Sequence, residues 1–124
     1  MDALFAAHSG TRYLVLLAGL VAVLWFVWGM ATKRPFGRPA SVIFAIFVGL
    51  LDVQGLMGIV LLIGGHRPPA IWGHVACMIL ALTLAHSMKK ASSRSPGYGQ
   101  PIVGVAGALA LIVVGILAIG RPIV

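Results

Sequence analysis

The sequence is short of everything that builds a water-facing surface. Its only acidic residues are Asp2 and Asp52, and charged residues of both signs make up 9% of the chain, where an ordinary soluble domain carries about a quarter. A chain of 124 residues with so little charge is suited to lipid as its solvent. Cysteine is almost absent too: Cys77 is the only one and lies inside an apolar run. One thiol excludes a disulfide framework, a thiolate-rich zinc site and an iron–sulfur cluster within a single chain. With no neighbour to activate its thiol, Cys77 reads as a small buried hydrophobe. The shortage of acids leaves nine Lys and Arg and a net charge of +7, a balance that in a soluble protein would point to nucleic acid. Here the basic residues stand in short gaps between apolar runs rather than beside aromatics on one surface, so no nucleic-acid partner is expected.

What the chain does have is 60% hydrophobic residues, gathered into four runs long enough to cross a hydrocarbon core of ~30 Å as helices. They are Tyr13 to Ala31, Ser41 to Gly64, Ala70 to Met88 and Pro101 to Gly120. Lys33-Arg34-Pro35 ends the first, and Gly64-Gly65 with Pro68-Pro69 separates the second from the third. Lys89-Lys90 with Ser92, Ser93, Pro96 and Gly97 precedes the fourth. The expectation is an all-α integral membrane protein, a single membrane domain over 1–124 folded as an antiparallel four-helix bundle with short loops. The first run is followed rather than preceded by its positive charges, Lys33, Arg34 and Arg38, so it reads as a retained helix and not a secretory signal. Loops one and three carry three basic residues each (Lys33, Arg34, Arg38; Lys89, Lys90, Arg94), against one each for the amino end, loop two and the carboxyl end (Arg12, Arg67, Arg121). The positive-inside rule then puts loops one and three in the cytoplasm and both termini outside.

Lipid gives helices no hydrophobic reason to associate, so close backbone approach has to do more. Gly55 and Gly58, Ala81 and Ala85, and Gly104 with Ala108 supply small residues at one-turn spacing. Trp25, Trp28 and Trp72 fall near helix ends, where Trp is enriched as an interfacial anchor. The polar residues are distributed differently in the two halves, which argues against an inverted repeat.

Ionisable residues at depth are the informative ones, because hydrocarbon penalises them unless a partner or cavity receives them. Asp52 lies near the middle of the second run, His74 about one turn inside one end of the third and His86 towards its other end; His8 and Arg12 stand at the mouth of the first. Asp52 reads either as an interhelical hydrogen bond that fixes packing or as a proton carrier or orienter of a histidine. Gln54, two residues on, points about 200° away round the helix, so the two should not share a face.

The histidines allow a sharper reading, since two imidazoles from different helices at one depth can ligate haem iron across a bundle core. His8 and His74 meet the depth condition if the first helix starts early; His66, in the Gly- and Pro-rich loop, competes for the second position. His74 and His86 are about 18 Å apart along one helix and cannot share an iron. A second haem at His86 would have only Met30 or Met88 to turn to, both poor candidates.

Three elements together, His8-Ser9-Gly10-Thr11-Arg12-Tyr13 opening an apolar helix, Leu51-Asp52-Val53-Gln54 followed by Gly58, and Gly73-His74 followed by His86, resemble small four-helix bacterial membrane proteins described as cytochrome b-like. The likeness spans helices one to three. It implies a multi-pass protein of the bacterial inner (cytoplasmic) membrane, a b-type haem or quinone-linked component of an electron-transfer chain, with His8, Asp52, His74 and His86 at the matching positions. One departure is Gly73, where the family carries an acid before the third-helix histidine. A weaker likeness is to the membrane anchors of succinate dehydrogenase.

The leading expectation is therefore a non-catalytic electron-transfer subunit of a respiratory or photosynthetic complex. It would bind haem b or quinone near the outer leaflet through His8, His74, His86, Asp52 and Arg12, with His8 and His74 as metal ligands, among lipid and other membrane subunits. The competing expectations are a cofactor-free structural subunit and a small proton-coupled carrier using Asp52.

Overall fold

The computed structural model describes residues 2–95 and 97–120; Pro96 and Arg121, used above as a breaker and as an outer charge, lie outside that range. Four helices follow one another: α1 (Asp2–Ala31), α2 (Arg38–Ile63), α3 (Ile71–Ser92) and α4 (Gly99–Ala118). All four are long and apolar enough to cross a membrane, and the protein is a multi-pass helical bundle as its hydropathy predicts. The main difference from the sequence boundaries is at the start. α1 begins eleven residues before the apolar run, at Asp2, since Ala3 to Ala7 are adequate helix formers and Asp2 complements the helix dipole.

The helix ends are set by local chemistry. After α1, the Lys33 amide donates to the Met30 carbonyl and the Arg34 amide to the Gly29 carbonyl, with Lys33 at φ 57°. That is the paired hydrogen-bond pattern that closes a helix on a left-handed residue, here without glycine. α2 ends in the same way with glycine in that role: Gly65 has φ 94°, its amide donates to Leu62, and the His66 amide donates to Leu61. The second turn delivers His66 back over the end of the bundle.

α3 and α4 form the closest pair, followed by α1 and α2; α1 also meets α4, whereas α2 and α3 touch sparsely and α1 and α3 lie across the diagonal. The expected small residues are at the close crossings: Ala81, Ala85 and Ala108 have no exposed surface, and Gly104 is buried where a Cβ would come within 2.6 Å of Met88 Cβ. Gly29 does the same for the Tyr98 ring.

The two ends of the bundle differ. Towards loops one and three, Phe26, Phe36, Phe44 and Tyr98 form a cluster with ring centroids 5.3 to 6.1 Å apart, and the Tyr98 hydroxyl donates to the Pro35 carbonyl at 3.1 Å. Tilted and edge-to-face rings at such distances make a dense plug. At the other end, the sparse contact between α2 and α3 leaves the interior open. Large apolar side chains such as Leu20, Leu24, Val53, Leu56 and Val114 point outwards, as lipid-facing positions do. Trp25 and Trp28 are exposed at the plugged end and Trp72 at the open one, the two depths at which Trp anchors helices in an interface.

Candidate functional site

The open end encloses a cavity of about 600 Å³ that all four helices line. Its walls are largely Leu, Ile, Val and Met, and the polar residues that line it are His8, Ser9 and Arg12 from α1, Gln54 from α2, His66 from the loop and His74 from α3. An apolar hollow of this size with a few convergent polar groups has the character of a small-molecule site.

His8 and His74 reach across the diagonal between α1 and α3. Their ring centroids are 6.5 Å apart and their planes lie at 81°. The early start of α1 makes this possible, because His8 stands on its second turn. His74 is oriented from behind: Nδ1 is 2.9 Å from the Gly115 carbonyl of α4. A carbonyl can only accept, so Nδ1 carries the proton and Nε2 keeps its lone pair. On the other side the His8 ring approaches α2 at Gly58, where a Cβ would stand 3.2 Å from the imidazole Cε1. Gln54 Nε2 donates to the His8 carbonyl at 2.8 Å and so holds the histidine's backbone to α2.

Three buried polar atoms among the described residues have no hydrogen-bond partner: His8 Nδ1, Arg12 Nε and Gln54 Oε1. All three belong to residues lining this one cavity. Arg12 otherwise donates to the Tyr13 hydroxyl at 2.8 Å and rests on that ring, and His66 stacks on Phe5 with centroids 4.5 Å apart. Buried groups without partners are rare in folded proteins and call for an explanation, a bound group among them.

Asp52 and His86 are elsewhere. His86 Nε2 and Asp52 Oδ1 are 2.7 Å apart, bridging α2 and α3 on the outside of the bundle, with about half of each side chain exposed. The acceptor behind His74 is thus the Gly115 carbonyl and not Asp52, and His86 meets a carboxylate rather than a methionine. Asp52 and Gln54 diverge as the helical angle requires, Asp52 outwards and Gln54 inwards. Among the described residues no three His, Cys, Asp or Glu gather as metal ligands, so the protein offers a pair of imidazoles and not a closed cage.

Gln54 is the residue that sequence reasoning undervalued. It shares a helical face with Leu51, Gly58 and Leu61, and a glutamine on that buried face was its signal. Replacing Gln54 by Met should lower stability in detergent by about 1 kcal/mol through the lost interhelical bond, read as a drop in thermal midpoint without loss of membrane insertion.

No protein-family model matches the chain, and no characterised protein or solved structure matches it. Fold and site define a class only: a multi-pass α-helical membrane bundle, plugged at one end and hollow at the other, with two histidines facing across the hollow.

Proposed function

We propose that the chain is a membrane electron-transfer subunit whose cavity holds haem b between His8 and His74. The observation that carries this is the ring separation of 6.5 Å across an apolar cavity. Imidazole nitrogens bind metals at ~2.0–2.1 Å, so two rings sharing one ion have centroids roughly 6 Å apart. The residues fit the group in other respects. His8 Nδ1 has no partner, the Gly115 carbonyl engages Nδ1 of His74 and leaves Nε2 free, and a haem would be held by these two imidazoles. Arg12 is the cation for the carboxylates of such a cofactor. When bound, haem supplies one-electron transfer; the protein's part is ligation, an apolar surround and orientation of His74.

The second reading, a bound quinone, draws on Arg12 Nε, an unused donor for a quinone carbonyl, and on Gln54 Oε1, an unused acceptor for a hydroxyl of the reduced quinol. The reduced-minus-oxidised absorption spectrum of the protein purified with its native partners, with cofactor quantified per chain, separates the two: a b-type spectrum at one haem per chain supports ligation, and extractable quinone without haem supports the second. With so little water-exposed mass, the protein works among other membrane subunits.

The same proposal includes orientation. Lys33, Arg34 and Arg38 with Lys89, Lys90 and Arg94 cluster at the plugged end, so this end faces the cytoplasm of a bacterial inner membrane and the cavity opens near the outer leaflet. Single cysteines at Arg94 and Arg67 should react with an impermeant maleimide from opposite sides; labelling of both from one side overturns the assignment.

A further inference from the structure

Asp52 lies near the middle of α2, and its pair with His86 lies on the outer face of the bundle. Side chains at this depth meet either lipid or protein. The bond between them has one proton to share. Hydrocarbon disfavours the singly charged form in which Nδ1 is bare. A couple of zero net charge, whether ion pair or acid and imidazole, leaves Nδ1–H of His86 as a donor and Oδ2 of Asp52 as an acceptor. Among the described residues neither has a partner. Hydrocarbon satisfies neither. A second observation lies one turn away on the same face. Gly49 is exposed in mid-helix, and a Cβ built there meets nothing within 4 Å. Nothing inside the chain asks for glycine there, although glycine weakens a helix relative to alanine; close approach by another helix does ask for it.

We propose that this α2–α3 face joins two copies of the chain about a two-fold axis, each His86 Nδ1–H donating to Asp52 Oδ2 of the partner subunit. A second copy is the occupant because the couple's spare donor and spare acceptor complement each other, so the patch is its own complement under two-fold rotation. Ala45 and Gly49 on one turn after another let the two α2 backbones approach. This surface lies outside the cavity and stands whichever cofactor the cavity takes.

The test uses the full chain in its native membrane, with Cys77→Ala as background. Gly49→Cys should form a disulfide-linked dimer of twice the chain mass on mild oxidation, whereas Val114→Cys, exposed on α4, should not. Adding Asp52→Leu should reduce the cross-linked fraction about tenfold. Exchanging the pair, Asp52→His with His86→Asp, should restore it, which a purely structural loss at either position would not allow. The proposal is overturned if Gly49→Cys stays monomeric, if it cross-links only to a different subunit, or if Asp52→Leu leaves the dimer unchanged.

Discussion

Alanine at His74 or at His8 is expected to lower haem per chain by more than tenfold, while the protein still inserts and extracts as a helical bundle. Insertion depends on the four apolar spans, which neither substitution touches. The proposed ligation depends on both rings. Losing a group that merely orients a ligand costs about 10- to 100-fold in metal affinity, and losing the ligand itself removes more. The two variants should behave alike because the rings face each other across the same cavity. His66→Ala is the control that tests assignment: His66 lines the cavity but stacks on Phe5, so its loss should leave haem content within error of wild type. His86→Ala should do the same, since His86 is engaged with Asp52 on the outer face. Haem retained in His74→Ala, or lost equally in all four variants, would overturn the ligand pair.

The architecture was legible because each span is a sum over some twenty residues, and no single substitution blurs it. The early start of α1 was less so. Asp2 to Arg12 mixes Ala and Phe with Asp, His, Ser and Gly, and nothing in that mixture marks where a helix leaves the bilayer. The pairing of His8 with His74 followed from depth alone, which is the property that hydropathy and helical rise supply together. Depth does not say which helices are neighbours. Asp52 and His86 meet across the otherwise sparse contact between α2 and α3, and sequence ordering did not say which histidine Asp52 would reach. Gly115 was less legible still: its part is played by a backbone carbonyl and a missing side chain, neither of which leaves a chemical signature. Gln54 lay between these cases, since its helical face was computable and its partner, the His8 carbonyl, was not.

Gly115→Leu is expected to lose the proposed haem and stability together, which separates it from the histidine variants. Gly115 lies on α4 at one of its close approaches to α3. A Cβ there would stand 2.6 Å from the Met78 Cε, 3.0 Å from the Cys77 Cβ and 3.4 Å from the His74 Nδ1. The methionine end can swing away, but Cys77 Cβ is fixed to the α3 backbone, so a side chain at 115 forces the two helices apart. Overpacking of this kind costs about 1–3 kcal/mol. The same displacement draws the Gly115 carbonyl away from His74, which is held at 2.9 Å, and frees the ring to turn or to exchange the proton between its nitrogens. A lowered thermal midpoint in detergent should therefore accompany a haem content reduced to a fraction of wild type. Gly10→Ala provides the comparison, because a Cβ at Gly10 meets nothing within 4 Å and alanine is the better helix former: stability should hold or rise and haem should stay. If Gly115→Leu melts early but keeps its haem with an unchanged spectrum, the Gly115 carbonyl has no part in orienting His74; if Gly115→Leu is as stable as wild type, the close crossing of α3 and α4 is not what holds the two helices together.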